Sequence, residues 1–216
     1  MAAMFDRTLI LNLDSRPDRW SEIQSRLPAD WLPTPERFAA IEGQRQKIPT
    51  DWRTTPGAYG CYLSHLLALS DAVTRQERVL ILEDDCLFCD NFTQRADAFL
   101  TGVPGDWDQV YLGGQHDKPP VAVATGIERT MGTRRTHAYG VSPEGAAKLL
   151  DLLSQAKIKN HIDLMFSAVH PKIQAYCPTA WLCGQAAGTS DILGIVPRAR
   201  TIESWWQYPR EESHAR

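Results

Sequence analysis

The stretch that most constrains this chain is Arg78-Val79-Leu80-Ile81-Leu82-Glu83-Asp84-Asp85-Cys86, an apolar run that stops abruptly in three consecutive carboxylates. The four apolar residues show no helical period, so they read as a strand buried on both faces. Each unpaired carboxylate in a dry core costs several kcal/mol, so the acids must stand where the strand emerges, at its carboxyl end. In open α/β sheets ligands bind along that edge. Adjacent acidic oxygens there suit a hard divalent cation that also holds substrate phosphates. A solvated acidic turn satisfies the same tripeptide, and the motif alone leaves both readings open.

Other runs repeat the pattern of an apolar strand that ends in polar groups. Thr8 to Leu13 is a second strand, followed by a helix from Pro17 to about Leu27 with Ser15 or Asp14 as its cap. Arg16 and Arg19 at that turn suit a diphosphate, because guanidinium forks and helix N-terminal amides both do; surface pairing with Asp14 and Asp18 is the plainer account. Arg37 to Ile41 predicts a short strand before Glu42-Gly43. A helix from Gly57 to about Thr74 follows, with Leu63, Leu66, Leu67, Leu69 and Ala72 covering much of its surface. Gly57 and Gly60 permit close approach of a ligand or another backbone, and His65 reads as a substrate contact or as a hydrogen-bonded structural histidine.

Beyond the acids, a helix over 91–101 with Asp90 as cap, a strand over 107–112 and a strand over 138–142 are predicted. Ser142 and Pro143 open a further helix. Asp163 precedes an apolar helical turn, as a helix N-terminal residue or as a base facing the site. Asp191 lies in a Gly- and Ser-containing loop.

With 216 residues, a single domain over 1–216 is expected, with a flexible arm or hairpin near 115–133 and a tail near 198–216. No apolar run approaches the roughly 18 residues of a membrane span. The N-terminus lacks the features of a signal peptide. Five cysteines fit reduced thiols, Cys86 and Cys89 having no second pair to complete a metal site. These features predict a cytoplasmic protein. A net charge of -3 offers no broad basic field for nucleic acid.

Taken in order, LILNLDSRPDRW (Leu9 to Trp20), RFAAIEG (Arg37 to Gly43), GAYGCYLSHL (Gly57 to Leu66), VLILEDDC (Val79 to Cys86) and THAYGVSPEGAAKLL (Thr136 to Leu150) resemble glycosyltransferase family 25. TSDI at Thr189 to Ile192 is a weaker sixth echo. That family includes lipooligosaccharide sugar transferases and collagen galactosyltransferases. The resemblance implies an α/β fold of the GT-A type, a Rossmann-like, mostly parallel sheet flanked by helices. It also implies a UDP-sugar donor, a Mn²⁺ or Mg²⁺ ion, and inverting transfer of a hexose, galactose or glucose, to a glycan, lipooligosaccharide or peptide acceptor.

On that reading Asp85 and Asp84 hold the metal, with Glu83 assisting. Asn12, Leu13, Asp14 and Arg16 lie near the uridine and phosphates, Ile41 and Gly43 form another wall, and Gly60, Ser64 and His65 stand near the donor. Inversion needs a base on the face opposite the leaving group; Asp163 is the first candidate and Asp191 the second. A lipid-linked acceptor would bring peripheral membrane contact. The competing classes are a catalytically silent sugar-nucleotide or glycan-binding module of the same fold and a metal-dependent phosphohydrolase.

Overall fold

The structure, a computed structural model, describes residues 4–28, 30–157, 159–186 and 192. Its first half comprises β1 (Arg7–Asn12), α1 (Pro17–Arg26), β2 (Pro35–Ala39), α2 (Pro56–Arg75), β3 (Val79–Glu83), β4 (Cys86–Phe88) and α3 (Phe92–Gly102). Then come β5 (Gln109–Tyr111), β6 (Gln115–His116), β7 (Val121–Ala124), β8 (Ile127–Arg129), β9 (Thr133–Arg134) and β10 (Ala138–Val141). The last described elements are α4 (Pro143–Ser154), α5 (Ile162–Val169), β11 (Ala175–Pro178) and β12 (Cys183–Gln185). Eight strands form one sheet in the order β2-β1-β3-β10-β5-β11-β8-β7. β10 and β8 run against the other six, so the sheet is mixed with one dominant direction.

The apolar runs become central strands because both faces of the sheet are covered. Side chains alternate across a strand, so Leu9, Leu11, Val79 and Ile81 join the core built on α2, α4 and α5. Ile10, Leu80 and Leu82 join the opposite core, where Ile23 of α1 and Phe92, Ala96 and Phe99 of α3 pack. Each such side chain contributes about 1.5–3 kcal/mol by leaving water. A polar replacement anywhere in the four-residue run of β3 would lose that term and desolvate a polar group as well.

Two helices start as their sequence signals require. Thr55 Oγ1 accepts from Ala58 N at 3.1 Å with Pro56 following, and Ser142 Oγ accepts from Gly145 N at 2.9 Å ahead of Pro143. Other expectations fail locally. Neither Ser15 nor Asp14 caps α1, whose N-cap is Arg16 with no side-chain bond. The cap of α3 is Asn91 in the left-handed region, not Asp90, again with no side-chain bond. Leu67 is 47% exposed and lies outside the buried face of α2, because the helix rotates it past the stripe formed by Tyr62, Leu69 and Ala72. Of the two forms expected for the segment 115–133, a flexible arm or a hairpin, the structure has the hairpin: β7 and β8 pair and widen the sheet, and β6 pairs with β9. The tail near 198–216 lies outside the described residues. Among the described residues no helix is long and apolar enough to cross a membrane.

Candidate functional site

The parallel strands β1 and β3 release their chains at the same edge, and the reversed β10 brings its amino end back to that edge. Asn12, Glu83 and the segment Thr136–His137 therefore meet, with Glu83 N donating to His137 O at 3.0 Å. Strand alternation then separates the acids. Glu83 turns toward α2, where its Oε1 accepts from Thr136 Oγ1 at 2.6 Å and lies 3.4 Å from His65 Nε2. Asp84 turns toward α1, where Oδ2 accepts from Asn12 Nδ2 at 2.7 Å and Oδ1 from Arg19 NH1 at 3.0 Å. Asp85 follows in the turn, and Gln185 at the end of β12 brings its Nε2 to 3.5 Å from both carboxylate oxygens. The Ala186 amide donates to the Asp85 carbonyl at 2.7 Å.

The consequence is an electrostatic division of labour. Burial alone would raise Glu83, but His65 and the Thr136 hydroxyl outweigh it and hold the carboxyl below the usual range. Burial, then the neighbouring Glu83 charge, pushes Asp85 up to about 7. Burial also raises Asp84, against the pull of Asn12 and Arg19. So one acid is held ionised while its neighbour two residues on is in a site that disfavours negative charge unless a cation balances it.

Asp163 stands in the first turn of α5. Its Oδ1 accepts from its neighbour Leu164 N at 2.7 Å and its Oδ2 from Arg135 N at 3.3 Å. Burial first, then the charges of Glu83, Asp163 and Asp85, raise the Cys61 thiol well above its ordinary value. Arg135 adopts φ 76°, a left-handed conformation that costs a non-glycine residue on the order of 1–3 kcal/mol. That strain sits where the chain joins the Asp163 contact to Thr136.

The remaining expected site residues fall into a tight rim. Arg37 Nε donates to Asn12 Oδ1 at 2.8 Å and its NH2 pairs with Asp14 at 2.6 Å, while Leu13 is half-buried between them in sequence. Arg16 pairs with Asp18 at 2.8 Å, whose carboxyl that contact lowers to about 2. Arg19 thus reaches the acids and Arg16 turns along the surface. Ser64 Oγ donates to Gly60 O at 2.7 Å and accepts from Ile41 N at 2.8 Å. A Cβ on Gly43 would collide with the Pro56 carbonyl, and one on Gly60 with the Ile41 carbonyl and Gly43 amide. Close backbone packing accounts for both glycines without a ligand. His65 is fully buried, its Nδ1 2.9 Å from Tyr139 Oη. Asp191 lies outside the described residues, although Ile192 O accepts from Thr55 Oγ1 at 2.5 Å and so docks beside the start of α2.

For metal binding, Asp85 offers hard oxygen ligands, whereas both oxygens of Asp84 are already engaged. The side chains of Cys61, His65 and Glu83 also converge behind the acids, their ligand atoms within 4.8 Å of one another. No local sequence pattern marks Thr136, Arg135 or Gln185 as site residues. Thr136 stands in a recognised motif, but nothing local to Gln185 announces a contact with a residue 100 positions away.

Comparison with known proteins bears on the family and the fold. A sequence profile of glycosyltransferase family 25, described as an LPS biosynthesis protein, matches residues 5–166. A mimivirus procollagen lysyl hydroxylase and glycosyltransferase is 32% identical over 183 residues, 68% of this chain and 20% of that protein. The human inactive glycosyltransferase 25 family member 3 is 29% identical over 97% of this chain and 39% of its own length. The chain thus spans only a fifth to two-fifths of these relatives. The solved structure of a glycosyltransferase involved in glycosylation of the major capsid of PBCV-1 shares the fold at TM-score 0.50 and 11% identity, over 86% of this chain and 94% of that one. The GT-A-like architecture expected from the motifs is therefore present. With the profile spanning β1 through most of α5, strands, acids and Asp163 included, the chain belongs to glycosyltransferase family 25.

Proposed function

We propose that this chain transfers a hexose, galactose or glucose, from a UDP-sugar to an acceptor hydroxyl with inversion, assisted by Mn²⁺ or Mg²⁺. The observation that carries the proposal is the meeting of Asn12, Glu83, Asp84 and Asp85 at one strand edge, with Arg19 paired to Asp84 and Thr136 to Glu83. Asp85 is the residue that would hold the ion, and its oxygen donors fit a hard divalent cation. When bound, such an ion stabilises the charge that develops on the departing diphosphate. Asp84 acts by tying Asn12 and Arg19 together at the strand ends, which leaves the Arg19 guanidinium beside the diphosphate region. Asn12, Leu13 and Asp14, braced by Arg37, form the nucleoside edge.

Asp163 takes the proton of the acceptor hydroxyl, its carboxylate fixed in orientation by two backbone amides. Asp191 is the other candidate base. The acceptor is a glycan, a lipooligosaccharide or a peptide; the mimivirus relative, named for procollagen, favours a peptide-linked hydroxyl. Five free thiols fit the cytoplasm.

A thermal-shift panel of UDP-sugars with and without Mn²⁺ tests this reading. One UDP-hexose should raise the melting temperature only when the ion is present, and the same pair should release UDP slowly. If no UDP-sugar moves the transition, the proposal fails. A second reading, a silent sugar-nucleotide-binding module, is favoured by the human relative named inactive. Stabilisation by a UDP-hexose with no UDP release across an acceptor panel would select it.

A further inference from the structure

A different cluster lies on the outer part of the sheet. β11 is separated from β3 by β10 and β5, about 14 Å at the usual strand spacing of roughly 4.8 Å. Cys177 and Glu128 face each other in register on the antiparallel pair β11–β8, so their side chains share one face. His116, from β6, brings Nε2 to 3.9 Å from Cys177 Sγ. The ligand atoms of all three lie within 4.8 Å of one another. We propose that His116, Glu128 and Cys177 bind a borderline-soft divalent ion of the zinc class, which fastens the β6–β9 arm to the outer strands.

Distance, orientation and charge each support the assignment. Nitrogen at about 2.0–2.1 Å and sulfur at about 2.3 Å from one tetrahedral zinc stand roughly 3.6 Å apart, a few tenths of an ångström from the observed separation. The imidazole is oriented from behind: Nδ1 is 2.8 Å from Thr133 Oγ1, which in turn contacts Thr130 Oγ1. With Nδ1–H donating into that hydroxyl chain, the Nε2 lone pair faces Cys177, the usual outer-partner arrangement of a ligating histidine.

The Trp181 ring lies over the imidazole at 4.7 Å, Cys177 is fully buried and His116 nearly so. A thiolate and a carboxylate neutralise the two charges of the ion, which makes burial tolerable; the thiol proton leaves to solvent on binding. Three protein ligands leave the fourth tetrahedral position to water. The sulfur ligand selects against Mg²⁺ and Mn²⁺, so this ion differs in kind from one held at Asp85.

The test uses the full chain, stripped with chelator and titrated with Co²⁺ as a spectroscopic probe. A thiolate-to-cobalt charge-transfer band should saturate at one equivalent, be displaced by Zn²⁺ and be unaffected by Mn²⁺. Cys177→Ser should abolish the band. Cys61→Ser, in the cluster behind Glu83, should retain it. Glu128→Gln should weaken Co²⁺ binding at least the roughly tenfold that losing even an outer partner costs. If Cys177→Ser does not fold, the pair Cys61→Ser and Glu128→Gln still decides. No band at stoichiometric Co²⁺, a band unchanged in Cys177→Ser or Glu128→Gln, or a band lost in Cys61→Ser would each overturn the assignment.

Discussion

The two ends of the same central strands treat charge in opposite ways. Where β1 and β3 begin, acids and guanidinium groups are matched. Arg7 reaches Glu36 at 2.6 Å, Glu77 at 2.8 Å and Asp71 as well, and Arg78 binds Asp6 at 2.8 Å. Where they end, Glu83, Asp84 and Asp85 crowd together; Arg19 pairs directly with Asp84, and the contact at Asp85 is the long one from Gln185. A matched end closes the sheet and needs nothing more. The acid end keeps negative charge at a place where burial raises its cost, a cost that a cation bound there, as proposed, would remove.

The largest expected effect sharpens this contrast at Asp85. Asp85→Asn should reduce Mn²⁺-dependent UDP-hexose hydrolysis about a thousandfold, roughly 4 kcal/mol of barrier. The same variant, without divalent ions at about pH 8, should melt above the parent. The sign follows from the raised carboxyl: between its ordinary value of 3.8 and about 7 the native chain holds a proton that the unfolded chain has released, so the acid costs stability as pH rises. A variant that melts lower at that pH would break the contrast.

Asp84→Ala comes next and should behave as structural damage. It takes one partner each from Arg19 and Asn12, the Asp84 side chain is only 10% exposed, and breaking such a buried pair costs about 3 kcal/mol. Denaturant unfolding reads it, and a loss below about 1 kcal/mol would put Asp84 with Asp85 instead.

The third expectation concerns pH. Burial holds His137 at about 4 and His170 at about 3, both depressed from 6.5. Their contribution is complete above 6.5 and drains as pH falls toward those values, roughly 2 kcal/mol for each by about pH 5. Asp85 slopes the other way over most of that window, so Asp85→Asn should steepen the rise in melting temperature from about pH 5 to about pH 7. Parallel curves for parent and variant would contradict the assigned shift. The smallest effect belongs to the matched end. Asp6 and Arg78 are more than a third exposed, solvent screens them, and Asp6→Asn should cost less than about 1 kcal/mol in the same unfolding assay.

Much of the fold is legible locally. β1 and β3 announce themselves because both cores need apolar side chains at successive positions, and Thr55-Pro56 and Ser142-Pro143 announce helix starts because a hydroxyl and a fixed φ serve the first turn. The caps of α1 and α3 fall on Arg16 and Asn91 because polar residues are abundant at those turns and backbone geometry chooses among them. Within 115–133, where an arm or hairpin is expected, Pro119-Pro120 and strands of two to four residues, too short to show a period, hide the strand bounds. The candidate site was legible as a list of strand ends, with Glu83, Asp84, Asp85 and Asp163 all marked by local sequence.

By itself, then, the sequence determined that apolar strands end in acids along one edge, because no dry core can hold three consecutive carboxylates. Tertiary structure decided what each acid does. Asp84 is clamped because alternation turns it toward Asn12 and Arg19, Glu83 is held ionised because it turns toward His65 and Thr136, and Asp85 is left poised because the turn and Gln185 bury it beside that charge. Those partners lie 18 to 100 positions away in the chain and reach the acids only through strand pairing and helix packing, which no local pattern encodes. The opening motif therefore specifies charge and place, and the fold assigns the work.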